Sequence, residues 1–215
     1  MGKTMKINKK QIAYNISKRN TAAIYIVIHD TGNKNRGADA EAHFRYFNGG
    51  NRNSSADFFV DDKQALQVND YIKNYTWHCG DGKGKYGITN GNSIGIEICV
   101  NSDGNYEKAY ANAIELTKQL MKELNITADR VVRHYDASRK NCPASMSSQN
   151  WALWNDFRKA LIAQEELTSV NDIVWELAHR GIITDKALWL KKLETDTNSY
   201  WLARKVANYL RNKGV

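Results

Sequence analysis

The run Ile24-Tyr25-Ile26-Val27-Ile28 admits few architectures. It is continuously β-branched and aromatic and has no polar side, so it reads as a strand covered on both faces. It stops at His29-Asp30-Thr31-Gly32, which puts a polar cluster at the end of that strand. A second strong strand is expected from Ser93 to Val100, where Ile94, Ile96, Ile98 and Val100 alternate with Gly95, Glu97 and Cys99.

Other elements arrange themselves around these two. A helix is expected from Asp39 to Phe47, with Ala42, Tyr46 and Phe47 on one side, stopped by Asn48-Gly49-Gly50-Asn51. Short strands are expected at Phe58–Val60 and Ala65–Val68. Gly80 to Asn92 is rich in Gly, Asn and Lys and reads as a long loop, a class of segment that often carries function. Tyr106 to Leu124 is the clearest helix, because Ala109, Ala113, Leu116, Leu120 and Leu124 recur at helical spacing. Arg130 to Arg133 is a short strand ending at His134, and Trp151 to Ile162 is a further helix. Helices that alternate with strands give an α/β class, with a mixed central β-sheet flanked by helices.

The texture changes after Ile162. Three short amphipathic segments follow: Val170 to Leu177 closed by Gly181, Ala187 to Leu193, and Trp201 to Leu210, with Ser169 and Asn198 as N-caps. Two domains are therefore expected, an α/β one at 1–164 and a small all-helical one at 165–215. The second is near the lower size limit for independent stability, so packing on the first domain or on another copy is open.

Composition narrows the function classes. Apolar residues make up 42%, enough for a packed core, and no apolar run approaches the roughly 20 residues that span a bilayer. Residues 1–20 carry Lys3, Lys6, Lys9, Lys10, Lys18 and Arg19 without an acid, and read as an arm or an entry strand. No apolar stretch follows the basic start, so no signal peptide is expected, and the expectation is accumulation in the cytoplasm. The net charge of +8 favours anionic partners, such as nucleic acid or wall polymers, and is equally consistent with plain solubility. No helix-turn-helix or base-stacking motif supports nucleic acid. Cys79, Cys99 and Cys142 are odd in number and far apart, which argues against a disulfide framework.

His29, His134 and Cys142 each fall at or just after a strand end, where side chains converge over one edge of a sheet. Two imidazoles and one thiolate would leave a fourth zinc position open, as a catalytic site needs. Spacing alone admits the plainer reading too, since single histidines and cysteines are usually packing residues. Glu97 is placed on a core strand, where a carboxylate is costly unless paired or working, and it is the candidate proton acceptor; a solvent-facing edge position is the alternative. Lys140 is a candidate for oxyanion stabilisation, or an ordinary loop lysine. His78 at the mouth of the loop and Thr31 past the first strand are candidate substrate contacts, with a hydrogen-bonded loop histidine as the alternative for His78. His43 and His179 read as structural.

Taken together, several ordered motifs resemble the type 2 N-acetylmuramoyl-L-alanine amidases. They are Ile26-Val27-Ile28-His29-Asp30-Thr31-Gly32, Ala40 through Gly50, Trp77-His78-Cys79-Gly80-Asp81-Gly82, Asn92 through Glu97, and Arg133-His134-Tyr135-Asp136 through Lys140-Asn141-Cys142-Pro143. The resemblance spans about residues 5–162. It implies the fold shared with peptidoglycan-recognition proteins, one Zn²⁺ held by His29, His134 and Cys142, a catalytic Glu97, and Lys140 near the scissile carbonyl. It implies peptidoglycan as substrate, anionic wall polymers as possible contacts of the basic surface, and a phage or prophage endolysin of a Gram-positive host, released from the cytoplasm with help. Non-catalytic binding modules of this fold typically lack a zinc ligand, and this chain keeps all three. One departure stands out: Ala56 takes the place of a tyrosine that some members set beside the metal, which favours Glu97 as the base. For the helical tail, wall binding and oligomerisation are both open.

Overall fold

The apolar run becomes β3 (Tyr25–Asp30), with Ile26, Val27, Ile28 and His29 all buried, in a computed structural model that describes residues 7–163 and 167–213. Its neighbours are β7 (Ser93–Ile98) and β8 (Val131–Arg133), both parallel to it. The other strands are β1 (Ile7–Lys9), β4 (Phe58–Val60) and β5 (Ala65–Gln67), which complete a mixed sheet of order β1-β5-β4-β7-β3-β8. A separate antiparallel pair joins β2 (Ile16–Lys18) to β6 (Asn74–Thr76). Part of the basic start is thus an entry strand; Lys3 and Lys6 lie outside the described residues.

Alternation along β3 divides its side chains between two environments. Ile26 and Ile28 join Ile94, Ile96 and Ile98 of β7 in the main core. That core is closed by α2 (Tyr106–Leu124), through Ala109, Ala113, Leu116 and Leu120, and by α4 (Ser148–Ile162), through Trp154, Phe157 and Leu161. Asn105 caps α2, its side chain accepting from the Lys108 amide, and Asn125 ends it in the left-handed conformation. Val27 turns to the opposite face, packing with Cys79, Ile88 and Ala137. His29 shares that second face. There α1 (Ala40–Asn48) lies beside a smaller cluster of Ile12, Ala40, Ala56 and Phe59, and the loop after β6 covers the rest.

Parallel strands bring their C-terminal ends to one edge. The register pairs His29 with Glu97 and Ile28 with Arg133, so one further step along β8 sets His134 level with His29. His134 opens α3 (His134–Ser138), a short helix that the strand-then-loop expectation omitted.

A buried carboxylate ties β4 to β7. Asp57 accepts from the Gly95 amide at 2.8 Å, Thr76 Oγ1 at 2.9 Å and Asn69 Nδ2 at 2.7 Å. Burial pushes its pKa up, and these donors with nearby Arg19 pull against that. Asp57→Ala would strand three buried donors, at about 1–3 kcal/mol each and not fully additive, so a loss on the order of 3 kcal/mol is expected in denaturant unfolding. A loss below about 1 kcal/mol would show that water replaces the carboxylate without penalty.

The chain divides into two units, one ending at Ile162 and the other starting at Ala163; the expected boundary at 164/165 falls outside the described residues. The second unit contains α5 (Val170–His179), α6 (Lys186–Thr195) and α7 (Thr197–Lys213) around Ile173, Val174, Leu177, Ile183, Leu193, Ala203 and Ala207. Ser169 caps α5 as expected, and Gly181 follows its end at φ +69°. The α7 cap is a correction: Asp196, not Asn198, receives the Asn198 and Ser199 amides, at 3.0 and 3.2 Å. The inward face of α7 also differs from the expected stripe. Val206 and Leu210 of that stripe pack inward together with Ala203 and Ala207, whose small side chains let helices approach closely, while Trp201, Leu202 and Tyr209 are exposed.

Candidate metal centre

Three elements deliver three donors. His29 sits at the end of β3, His134 starts α3 directly after β8, and Cys142 lies on the loop beyond α3. That loop is drawn back by the Tyr135 amide donating to the Cys142 carbonyl at 3.0 Å. All three side chains are buried, and one ligand atom from each falls within 4.8 Å of the others. His29 Nδ1 is 3.7 Å from Cys142 Sγ, and the two imidazole rings are 4.6 Å apart.

The polar atoms around these donors are unevenly satisfied, and the imbalance is informative. His134 Nε2 meets Asp81 Oδ1 at 2.7 Å, while His134 Nδ1 is buried with no partner. An unpartnered buried nitrogen costs free energy unless something else occupies its lone pair. A bare nitrogen facing a thiol and a second imidazole, with one imidazole already oriented by a carboxylate, is the donor set and outer support of a metal site. Burial lowers the pKa of His134, against Asp81, and lowers that of His29 further, with His78 and His134 adding to it, so both rings are held neutral. Burial pushes the Cys142 thiol up to about 12, and Glu97 adds to that. The residues present therefore fit a cation: without one the pocket gathers neutral donors, and a cation would favour the thiolate.

Glu97 stands beside the donors, with Oε1 3.9 Å from His29 Nδ1 and a side chain 20% exposed. Its Oε2 is buried without a partner. Burial pushes its pKa up to about 8, Asp30 adds to this, and Lys140 opposes it. Asp30 itself receives the Ser145 amide at 2.6 Å. Lys140 is exposed on the rim, two residues before Cys142, and its charge is felt at His29, His134, Cys142 and Glu97.

The two expected substrate contacts separate. Thr31 lines a cleft of about 300 Å³ with Asn33, Ala42, His43, Tyr46 and Phe47, and its Oγ1 is buried and unpartnered. His78 does not face a cleft mouth. It is 8% exposed, with Nδ1 3.0 Å from His29 Nε2 and Nε2 3.1 Å from Ser93 Oγ, so both ring nitrogens are engaged inside the protein. Asp81 and Ser93 are site residues that the sequence reading missed, although Asp81 lies in the Trp77–Gly82 motif that carried the resemblance. Ala56 is buried among Ile12, Ala40 and Phe59 and brings no polar side-chain atom to the site. His43 bonds the Asp39 carbonyl and stacks on Phe59, and His179 stacks on Trp175, as expected of structural histidines.

Known proteins share this arrangement of chain. N-acetylmuramoyl-L-alanine amidase CwlH of Bacillus subtilis (strain 168) is 41% identical over 144 residues, covering 67% of this chain and 55% of the relative. The solved catalytic domain of XlyA superposes with a TM-score of 0.64 at 38% identity, covering 73% of this chain and 99% of that one. A mutant endolysin from Bacillus subtilis superposes at 0.63 and 39% identity, again covering 73% and 99%. The chain spans about half the length of the curated relatives it matches. The family model described as N-acetylmuramoyl-L-alanine amidase matches residues 19–145, a stretch that holds His29, Glu97, His134, Lys140 and Cys142, and the chain belongs to that family.

Proposed function

We propose that this protein is a zinc-dependent N-acetylmuramoyl-L-alanine amidase that cuts the bond between N-acetylmuramic acid and L-alanine in peptidoglycan. The observation that carries the reading is the end of three parallel strands at which two imidazoles, a thiol and an underpartnered carboxylate meet. His29, His134 and Cys142 would hold one Zn²⁺, a borderline-soft ion suited to two nitrogens and a sulfur. When bound, zinc supplies Lewis acidity to the scissile carbonyl and acidifies water. Glu97 takes a proton from the attacking water as the new C–O bond forms, and returns it to the amine nitrogen as the C–N bond breaks. Lys140 sets a positive charge near the oxygen that becomes negative. Thr31, two residues after His29, lines a cleft of about 300 Å³ that offers room for part of the muramyl-peptide substrate.

The likeness to an endolysin supports a lytic role for phage or prophage, with accumulation in the bacterial cytoplasm before release onto the wall. For the helical unit at 165–215 the proposed role is attachment to the wall or pairing of copies, through its outward Trp175, Trp201, Leu202 and Tyr209.

Purified Gram-positive walls test the reaction. Turbidity should fall, free alanine amines should rise, and reducing ends should stay constant. A chelator should stop the loss and added zinc should restore it. New reducing ends would make the enzyme a glycosidase instead, and chelator-resistant lysis would remove zinc from the reaction.

A further inference from the structure

His78 lies where a side chain is missing. Along β7 the residues Ser93, Gly95 and Glu97 alternate onto the face that His29 shares, since the register pairs Val27 with Gly95 and His29 with Glu97. A Cβ on Gly95 would fall 2.6 Å from His78 Cγ and 2.9 Å from its Nδ1. The ring therefore occupies the space of an absent side chain, between a hydroxyl on one side and a metal-ligand candidate on the other.

The hydrogens along this line can be counted from its far end. Ser93 Oγ is 2.5 Å from the Thr89 carbonyl, which can only accept, so the single hydroxyl hydrogen of Ser93 points there. Ser93 Oγ must then accept from His78 Nε2 at 3.1 Å. A neutral His78 with its hydrogen on Nε2 presents a bare Nδ1, which accepts from His29 Nε2 at 3.0 Å. His29 then has its only ring hydrogen on Nε2, and its Nδ1 is bare toward Cys142 Sγ. The Cys79 thiol, 3.7 Å from Ser93 Oγ, adds a weak second contact and leaves this count unchanged.

The far end is fixed in place. Thr89 and Asn92 cap each other reciprocally, Thr89 Oγ1 accepting from the Asn92 amide and Asn92 Oδ1 from the Thr89 amide. Asn90 Oδ1 accepts from the His78 and Cys79 amides at 3.0 and 2.8 Å. One short loop thus holds both the carbonyl that sets the proton order and the backbone of the histidine that transmits it.

We propose that His78 and Ser93 are positioning residues: with Gly95 as their cradle, they fix His29 in the tautomer whose Nδ1 is free to ligate metal. This rests on the reading of His29, His134 and Cys142 as metal ligands. The two histidines are served differently. His134 is oriented by the carboxylate of Asp81, whereas His29 is oriented by a neutral relay, so the site gains one outer negative charge rather than two.

The test uses the full-length protein in metal-free and zinc-loaded forms. NMR of isotope-labelled histidines, through two-bond proton–nitrogen couplings, reports the tautomer of each ring without metal or substrate. Wild type should show His29 protonated on Nε2. His78→Leu and Ser93→Ala should give a mixture at His29. Zinc affinity, read by chelator competition, should fall about 10- to 100-fold in His78→Leu. The loss should be smaller in His78→Asn, whose side-chain oxygen can stand near the place of Nδ1. If His78→Leu does not fold, Ser93→Ala and His78→Asn carry the test. A wild-type His29 protonated on Nδ1 overturns the relay, as does an unchanged tautomer and zinc affinity in the variants. Failure of the metal reading looks different: wild type would take up no zinc, while the tautomer spectra would still judge the relay.

Discussion

Glu97→Gln is expected to lower turnover on purified walls by about 10²- to 10⁴-fold while zinc content and melting temperature hold. The variant keeps the shape of the side chain and removes only its capacity to accept a proton. Among the described residues no other carboxylate is placed to substitute. Asp30 is engaged by the Ser145 amide, and Asp81 is engaged by His134. Among the described carboxylates, Glu97 alone pairs in register with a candidate ligand and has a buried oxygen without a partner. Its pKa also sets the shape of the rate profile. Burial foremost, with Asp30, pushes it up to about 8, and Lys140 opposes this. A base works in its ionised form, so kcat/KM should rise with pH through an acid limb. A cation at the adjacent donors favours the carboxylate and moves that limb below the value for the metal-free site. The Gln variant should lack the limb. Rates within about tenfold of wild type, or an unchanged limb, would remove Glu97 from proton transfer.

What could be read beforehand in the chain, and what could not, follows from how local the signals are. The β3 run and the alternation in β7 are long enough to declare themselves, and parallel pairing then carries His29, Glu97 and His134 to one edge. The three-residue strands β1, β2 and β6 are mostly polar, unlike the equally short Phe58–Val60, and exist through their partners. The α3 helix was hidden because His134 reads equally well as the last residue of a strand or the first of a helix. His78 could not be aimed from sequence, since its direction depends on a side chain absent at Gly95, seventeen positions later. Asp81 and Ser93 lie inside motifs that carried the resemblance, but their roles could not be read for a related reason: each acts on a histidine that the fold, not the sequence, sets beside it. In the tail, large apolar residues suggested the inward stripe; Val206 and Leu210 keep to it, yet Ala203 and Ala207 are the most buried residues of α7 and Trp201, Leu202 and Tyr209 face out.

Cys142→Ser is expected to weaken zinc binding on the order of 10²- to 10³-fold, taking about one ligand's share of the ~10–16 kcal/mol seen for four-ligand structural sites. Cys142 is the one donor of the three that becomes an anion, and serine offers a harder oxygen that does not ionise near neutral pH. The proton balance sharpens the test. Burial first, then Glu97, holds the metal-free thiol up to about 12, so a cation must displace a proton to bind. The two histidines are already neutral and give up none. Zinc affinity of the wild type should therefore tighten with pH across the neutral range, by about tenfold per pH unit for the thiol's proton and somewhat more below the pKa of about 8 at Glu97, and Cys142→Ser should lose the thiol's share and keep only the shallower Glu97 part. Because the native state alone gathers the donors, zinc should raise the melting temperature of the wild type and a chelator should lower it, with little effect of either on the variant. Cys99→Ser provides the contrast. Cys99 is buried beside His43 and Phe59, away from the three donors, so its loss should cost stability and leave zinc affinity alone. Equal zinc affinity in Cys142→Ser and wild type would show that the thiol is a packing residue and that the cation, if any, is held elsewhere.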